Sequence, residues 1–261
     1  MSNAIDINCD MGESFGAYHL GRDDEAIRYI SSANIACGFH ASDPMVMART
    51  VSLCRDHNVG AGAHPGYPDL LGFGRRSMDI SVEEMVNYVV YQVGALKGFL
   101  ELYDLPLQHI KLHGALYNKL AANPDLFLQL IRRIGKPFGN PVFLTLATRR
   151  TILLKENARR EGLRVALEAF PDRQYTDEGE LAPRVHANVV LSDPEKIAER
   201  AVTMVTKKGI VSLNGRWLDM AVDTVCIHGD NPLSIAAAKL MAAEFAKEGM
   251  QIRPLGEIIA R

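Results

Sequence analysis

The chain has 261 residues, of which 48% are hydrophobic and 23% charged, and this is enough for one large α/β domain over residues 1–261. The net charge at pH 7 is −2, from 29 basic and 31 acidic residues, without a long basic run. We therefore expect neither a nucleic acid nor a membrane as a partner. No apolar stretch approaches the roughly 20 residues that cross a bilayer, and no secretory pattern begins the chain, so we expect a cytoplasmic protein.

Strand-like and helix-like segments alternate along the chain. The strand-like runs lie at 5–13, 33–43, 59–69, 109–118, 141–145, 165–175 and 224–230. Helix starts are indicated by Ser42-Asp43-Pro44, by the capping box of Ser81 and Glu84, and by Asn123-Pro124, Ser192-Asp193-Pro194 and Pro232. Near the end, Asn214-Gly215 predicts a β-hairpin with a two-residue type I′ turn.

This alternation predicts a (β/α) barrel of seven strands. A doubly wound open sheet is the alternative, and it would bind a ligand at one switch point. Six of the runs end in a polar cluster with an ionisable residue, although buried parallel strands are normally continuous apolar runs. The C-terminal ends of barrel strands meet on one rim, where active sites lie. The sequence therefore predicts an enzyme with its site on that rim.

The four cysteines, Cys9, Cys37, Cys54 and Cys226, lie far apart and form no C-x-x-C pair. This spacing argues against a zinc knuckle and a thioredoxin-like motif. Three of them lie in apolar runs, where cysteine packs as a small hydrophobic residue. Free thiols of this kind fit a reducing compartment.

The first strand carries Asp6, Asn8 and Asp10 on one face, because side chains alternate along a strand. Asp10 is the last of them and would reach the rim, as a general base or a metal ligand. The alternative is a loop carboxylate that accepts backbone N–H bonds. His40 and His64 end the second and third strands. With Asp10 they make a usable divalent-metal set, and acid–base catalysis by one histidine is the metal-free alternative.

Lys111 and His113 lie two residues apart on the fourth strand and are predicted to share a face. Lys111 would polarise a carbonyl or bind a substrate carboxylate, and its alternative role is a buried ion pair. His228 and Asp230 follow the last strand and are candidate residues of the site on the rim. Their alternative role is to cap the loop. Arginines in loops after strands, which suit carboxylates, are Arg75, Arg76, Arg173 (beside Asp172) and Arg184. The alternative role of each is a solvated surface charge.

No nucleotide-binding loop is recognisable in the sequence. GAGAHPG (60–66) has two glycines spaced as in a dinucleotide loop, but Pro65 occupies the place of the third. The chain also has no G-x-x-x-x-G-K-[ST] motif. The sequence therefore shows no motif by which this chain would itself bind a nucleotide.

Several motifs together resemble the LamB/YcsF family over nearly the whole chain. They are SSANIACGFHASDP (31–44), GAHPGYPDLLGFGRR (62–76), HGALYN (113–118), the segment from Asp172 to Arg184, and VCIHGD (225–230). The resemblance implies a barrel of the glycoside hydrolase/deacetylase type. It also implies ATP-dependent opening of 5-oxo-L-proline, or a related lactam, to L-glutamate by a 5-oxoprolinase with partner subunits B and C.

With that resemblance, the residues divide into two predicted groups. The predicted catalytic residues are Asp10, His40, His64, Lys111, His113, Asp172 and His228. The predicted substrate-binding residues are Asn8, Glu13, Arg75, Arg76, Tyr117, Arg173, Arg184 and Asp230. The candidate ligands for a divalent metal are Asp10, His40 and His64. Two other functions remain open, namely a metal-dependent amidase or deacetylase without ATP and a non-catalytic partner that organises the other subunits.

Overall fold

The structure is a computed structural model that describes residues 3–183, 189–228 and 232–259, without the side chains of His228 and Pro232. Its strands in chain order are β1 (Ala4–Met11), β2 (Ser32–Ala36), β3 (Gly60–His64), β4 (His109–Lys111), β5 (Val142–Leu146), β6 (Arg164–Ala169), β7 (Gly209–Val211), β8 (Trp217–Asp219), β9 (Thr224–His228) and β10 (Gln251–Ile252). The helices are α1 (Asp23–Ala26), α2 (Pro44–His57), α3 (Val82–Leu102), α4 (Gly114–Ala121), α5 (Pro124–Ile134), α6 (Arg149–Arg160), α7 (Pro194–Thr206), α8 (Pro232–Lys247) and α9 (Leu255–Ile258).

Seven parallel strands close into a barrel in the order β1, β2, β3, β4, β5, β6 and β9. The ring closes because β9 pairs with β6 on one side and with β1 on the other, where Asn8 stands opposite Cys226. The predicted seven-stranded (β/α) barrel is thereby confirmed, and the open doubly wound sheet is wrong. The short β10 adds to the outer end of β1, next to Ala4. A single domain over the whole chain stays a prediction.

The predicted helix starts are confirmed where the structure describes their caps. The Asp43 carboxylate accepts hydrogen bonds from the Met45 and Val46 amides and begins α2. Ser81 and Glu84 form the predicted capping box of α3. Each such cap satisfies amides that have no partner within the helix. These caps fix where each helix leaves the rim of the barrel.

The alternation of β1 separates two environments. Ile5, Ile7, Cys9 and Met11 point outward into the apolar layer between strands and helices, and all four are buried. The residues between them point into the barrel, where Asp6 accepts hydrogen bonds from Ser31 and Ser32 at 2.6 Å each. The barrel interior is therefore polar over this strand, and its last inward residue, Asp10, reaches the rim as predicted.

Two local predictions are wrong. Lys111 and His113 do not lie on one strand, since β4 ends at Lys111 and His113 is the N-cap of α4, which begins at Gly114 with a φ of +58°. The β7–β8 hairpin exists, but Gly215 has positive φ and Asn214 does not, so the turn is not type I′. The Ser212 amide bonds the Arg216 carbonyl, which makes a three-residue loop.

All four cysteines are free and buried, and burial was predicted for the three that lie in apolar runs. No helix in the described part of the chain has the length and apolar character needed to cross a membrane.

Candidate active site

The C-terminal ends of the strands surround one cleft of about 560 Å³, here called the rim cleft. Asp10 from β1, His64 from β3 and Lys111 from β4 reach it from three strands of the barrel. Its other polar or aromatic lining residues include Glu13, Arg75, His113, Tyr117, Asn118, Arg150, Phe170 and Arg173. Parallel strands bring these side chains together because all their carboxyl ends lie on the same rim.

Lys111 lies buried at the floor of the cleft between two carboxylates. Its Nζ is 2.8 Å from Asp10 Oδ1 and 2.9 Å from Glu168 Oε1. It also donates to the Cys226 thiol at 3.0 Å and lies 5.3 Å from the centre of the Phe170 ring. Burial alone would lower the pKa of Lys111, but the two carboxylates outweigh it and raise this pKa well above its ordinary value. Lys111 is therefore a fixed cation facing the cleft.

Glu168 is a site residue that sequence reasoning did not single out. It is fully buried in β6, and its Oε2 accepts a hydrogen bond from the Tyr117 hydroxyl at 2.9 Å. Burial and this carboxylate raise the pKa of Tyr117 well above its ordinary value, so the phenol stays protonated. The sequence did contain a signal for Glu168, because this glutamate interrupts the apolar run VALEAF (165–170). An unpartnered charge is costly in a barrel interior, so such a residue is expected to have a partner or a function.

A hydrogen-bonded network holds Asp10 from below. The Asn34 amide donates to Asp10 Oδ1 at 2.8 Å and to Asn8 Oδ1 at 2.7 Å. The Asn34 carbonyl oxygen in turn bonds His109 Nε2 at 2.7 Å. Burial lowers the pKa of His109 to about 3, so this imidazole is neutral and donates. Asn8 thus supports the carboxylate of Asp10 from within the barrel and does not line the cleft.

His64 and His113 face each other, and each is tied to a backbone carbonyl on its far side. His64 Nδ1 lies 2.8 Å from the Lys111 carbonyl oxygen, and His113 Nε2 lies 2.8 Å from that of Phe73. A carbonyl oxygen only accepts, so both of these nitrogens carry the hydrogen. The remaining nitrogens, His64 Nε2 and His113 Nδ1, are 2.9 Å apart.

His40 completes this group from the loop after β2. Its ring stacks on that of His113 with centroids 3.7 Å apart and an angle of 1° between the planes. The Glu13 Oε1 atom lies 3.7 Å from both His40 Nε2 and His113 Nδ1. One ligand atom from each of Glu13, His40, His64 and His113 lies within 4.8 Å of the others. We call these four residues the histidine cluster.

Two of the three imidazoles are held neutral by their surroundings. Burial, with the neighbouring histidines, lowers the pKa of His40 well below its ordinary value. Burial also lowers the pKa of His113 to about 3, again with a contribution from His64. Neutral imidazole is the form in which histidine binds metals and accepts protons.

Two glycines make the room that the imidazoles occupy. A Cβ atom on Gly66 would lie 2.9 Å from His40 Nδ1. Gly74 has a φ of +64°, and a Cβ there would lie 2.8 Å from the Cβ of His40 and 2.9 Å from His113 Cδ2. The loop between β3 and α3 thus leaves room for the histidine cluster. The motif GAHPGYPDLLGFGRR (62–76) contains both glycines, but the sequence alone did not show why they are needed.

The comparisons with known proteins agree on one family. A sequence model of the LamB/YcsF family matches residues 5–260. The chain belongs to the LamB/YcsF family. Similar relatives are the 5-oxoprolinase A subunits of Pyrococcus furiosus, 48% identical over 98% of this chain and 99% of that protein, and of Campylobacter jejuni subsp. doylei, 43% identical over the same shares. The lactam utilization protein of Thermus thermophilus has a similar crystal structure, with a TM-score of 0.86, 40% identity, and 96% and 99% of the two chains covered.

In this LamB/YcsF chain, most predicted site residues of the described part lie in or against the rim cleft. Asp10, Glu13, His64, Lys111, His113, Tyr117, Arg75 and Arg173 line it, and His40 lies directly behind His113. Of the predicted metal candidates, His40 and His64 belong to the histidine cluster, and Asp10 Oδ2 lies 3.3 Å from His64 Nε2, so a metal on these three residues stays a prediction. Glu13 and His113 join the two histidines, whereas Asp10 bonds Lys111 and Asn34 through Oδ1.

The other predicted residues of the LamB/YcsF chain lie elsewhere or outside the described residues. Arg76 binds the buried carboxylate of Asp69 with Nε and Nη2, away from the cleft lining. Asp172 is buried beside Tyr175 and Arg200, with which it interacts electrostatically. The backbone of His228 ends β9 opposite Asp10. Arg184, Asp230 and the His228 side chain lie outside the described residues, so their roles stay predictions.

Proposed function

We propose that this chain is the A component of a 5-oxoprolinase, which opens the ring of 5-oxo-L-proline, or of a related lactam, to give L-glutamate. The names of the similar proteins from P. furiosus and T. thermophilus support this proposal. The observation that carries it is the buried Lys111 ammonium beside Asp10 on the cleft floor. A fixed cation next to a carboxylate suits the addition of water to an amide carbon.

ATP enters the proposal because an unstrained five-membered amide resists water at neutral pH. Transfer of the ATP γ-phosphoryl group to the ring carbonyl oxygen would give a reactive imidate phosphate. One water then adds to the ring carbon, and the C–N bond breaks with a proton going to nitrogen, which gives γ-glutamyl phosphate. A second water hydrolyses this acyl phosphate to glutamate and inorganic phosphate. The sequence has no recognisable phosphate loop, so we assign the ATP step to partner subunits B and C.

Each cleft residue has a place in the ring-opening step. Lys111 would stabilise the negative charge that develops on oxygen as water adds. Asp10, whose Oδ2 lies 3.3 Å from His64 Nε2, would accept the proton of the attacking water. Arg75 lines the cleft, and its charge adds to the burial that lowers the pKa of His40 and His113. This guanidinium is our choice for binding the substrate carboxylate.

We place the assembled enzyme in the cytoplasm, where ATP is available. The four buried free thiols support a reducing compartment.

The experiment is glutamate release from 5-oxo-L-proline by the purified chain, by subunits B and C, and by all three together, each with and without ATP. We expect turnover and ADP formation only when all three proteins and ATP are present. Lys111→Met and Asp10→Asn should abolish turnover in the complete mixture. Lys97→Met, which changes an exposed lysine of α3, is the matched control and should keep full activity.

Three outcomes would reject this assignment. ATP-dependent release by the chain alone would mean that it has its own nucleotide site. Turnover by B and C without this chain would reject its catalytic role. Full activity of both Lys111→Met and Asp10→Asn would leave only the role of a non-catalytic organiser.

A second candidate function, a metal-dependent amidase or deacetylase without ATP, is favoured by the histidine cluster. Three imidazoles and one carboxylate resemble the ligand sets that activate water in hydrolases. This function predicts product release by the isolated chain without ATP, and loss of that release after chelator treatment.

A further inference from the structure

We propose that Glu13, His40, His64 and His113 bind one divalent transition-metal ion, with Zn²⁺ as the best fit, and that Asp10 and Lys111 lie next to the ion without binding it. This inference concerns the same cleft as the proposed function and specifies the metal site that the sequence placed on Asp10, His40 and His64. It holds whether or not ring opening needs ATP.

The first argument is the arrangement of lone pairs between His64 and His113. Both rings donate their outer N–H to a backbone carbonyl, at 2.8 Å in each case. The inner nitrogens of the two rings, when neither carries a second proton, therefore face each other with lone pairs at a distance of 2.9 Å. Two lone pairs at this distance repel each other unless a proton lies between them or a metal ion lies beside them. Metal-binding histidines commonly donate their other N–H to a backbone carbonyl in this way.

The second argument is the convergence of further donors on the same point. The Glu13 Oε1 atom lies 3.7 Å from His40 Nε2 and from His113 Nδ1. Among the described residues, neither ring nitrogen of His40 has a hydrogen-bond partner, although this side chain is fully buried. A buried polar group without a hydrogen bond is costly, and a metal ion at the cluster would give one of the two nitrogens, Nε2, a partner.

The third argument is that the surroundings are built for these rings. Gly66 and Gly74 leave space where any Cβ would meet His40 or His113 within 3 Å. The stacked rings of His40 and His113 are fixed between this loop and the barrel. A site whose ligands are held in place loses little conformational entropy when the ion binds.

The donor set selects the class of ion. Three imidazole nitrogens and one carboxylate oxygen suit Zn²⁺, Co²⁺, Ni²⁺ or Fe²⁺, whereas Mg²⁺ and Ca²⁺ prefer oxygen ligands. The Oδ1 atom of Asp10 accepts from Lys111 and Asn34, both at 2.8 Å, and its Oδ2 atom lies 3.3 Å from His64 Nε2. That ion pair ties Asp10 to the floor of the cleft, where it can act on a water molecule beside the ion.

The test is metal binding by the full chain without a histidine tag, after dialysis against a chelator. Zn²⁺ is titrated by calorimetry, and Co²⁺ is followed by its visible absorption bands. We expect one ion per chain with a Kd below about 1 µM, and a higher Tm with Zn²⁺ than without. Glu13→Gln and His64→Gln should each weaken binding at least about 100-fold, since even residues that only support ligands cost about 10–100-fold.

Two matched variants make the ligand assignment specific. His57→Ala removes an exposed histidine at the end of α2 and should leave affinity unchanged. Asp10→Asn should retain affinity within about 10-fold, because Asp10 is placed outside the set of ligands. Circular dichroism of each metal-free variant shows that it is folded before titration. Glu13→Gln, which keeps the size and shape of the side chain, serves if a histidine variant does not fold.

The proposal is overturned if the folded chain binds none of Zn²⁺, Co²⁺, Ni²⁺ or Fe²⁺ stoichiometrically. It is also overturned if His57→Ala or Asp10→Asn loses as much affinity as Glu13→Gln. No substrate is present in these titrations, so the result is independent of ring opening. Metal binding without lactam turnover would reject the proposed function alone, and turnover without metal binding would reject this site alone.

Discussion

At the scale of single residues, Lys111 contributes to the stability of the barrel as well as to the chemistry of the cleft. Its buried ammonium is paired with two carboxylates, Asp10 and Glu168, and the second of these is fully buried. Removing one member of a buried ion pair leaves an uncompensated charge, which destabilises strongly. The ion-pair role and the catalytic role of this lysine are therefore compatible, and a suitable pair of variants separates them.

We expect Lys111→Met to lose at least about 100-fold in turnover and about 3–5 kcal/mol in the free energy of unfolding. The double variant Lys111→Met/Glu168→Gln should regain part of the stability, because the charge left in the barrel is removed. It should regain no activity. Urea denaturation and turnover in the complete mixture measure the two effects. Recovery of activity in the double variant would contradict a catalytic role for the ammonium.

Asp6 predicts a pH dependence of stability. Burial raises the pKa of Asp6 to about 6, although Ser31, Ser32 and Thr224 all donate to it. The folded chain therefore holds this proton more tightly than the unfolded chain, and the resulting stability is present below about pH 4 and lost as the pH rises through about 6. The loss amounts to about 3 kcal/mol.

The measurement compares urea unfolding of the wild-type chain and Asp6→Asn between about pH 4 and pH 7. We expect the variant to gain about 3 kcal/mol relative to wild type over this range, because only the wild-type chain has the titrating carboxyl. Asp56→Asn, an exposed position on α2, is the control and should follow wild type. Parallel curves for wild type and Asp6→Asn would show that Asp6 does not titrate in this way.

At the scale of elements, the loop between β3 and α3 connects the fold to the site. Its Gly74 amide bonds the Asp69 carbonyl, and its Gly74 carbonyl accepts from Ala115 in α4. The Phe73 carbonyl fixes the tautomer of His113. A short segment thus sets the orientation of the histidine cluster through its backbone, and its conformation depends on a positive φ at Gly74.

We expect Gly74→Ala to cost roughly 1–3 kcal/mol of stability and to reduce turnover and metal affinity, because the new Cβ is strained and displaces His40 or His113. The matched control is Gly98→Ala in α3, where a Cβ meets nothing within 4 Å. That change should stabilise the chain by about 0.5–1 kcal/mol through helix propensity. Unfolding curves, turnover and Zn²⁺ titration test both variants. Normal metal affinity in a folded Gly74→Ala chain would contradict the role given to this loop.

At the scale of the whole molecule, the barrel depends on a strand from the end of the chain. β9 fills the gap between β6 and β1, and Thr224 on it donates to Asp6, which is 218 residues away in sequence. Without β9 both neighbouring strands would have unpaired edges, and the polar interior would lose a donor. The folded state therefore requires both ends of the sequence at once.

We expect a chain that ends at residue 220 not to fold, rather than to leave a folded N-terminal part. Circular dichroism and limited proteolysis of the truncated protein would show an unfolded, readily digested chain. The full chain should unfold in one transition when followed by fluorescence and by far-UV circular dichroism. Two separated transitions, or a protease-resistant fragment from the truncated chain, would argue against a single domain over 1–261.

The sequence by itself determined the alternation of strands and helices, the helix caps, and the inward and outward faces of β1. It also determined that Asp10, His64 and Lys111 reach one rim, because strand periodicity and the convergence of parallel strands are general rules. These features depend on residues that are close in the chain. The family motifs extended the prediction to function, since they span nearly the whole sequence.

Only the tertiary structure decided which of these side chains act together. Glu168 meets Tyr117 across 51 residues, and Lys111 meets Asp10 across 101. Within the histidine cluster, the carbonyls of Lys111 and Phe73 fix the ring orientations of His64 and His113. Such orientations follow from hydrogen bonds between distant segments, and periodicity along one strand contains no information about them.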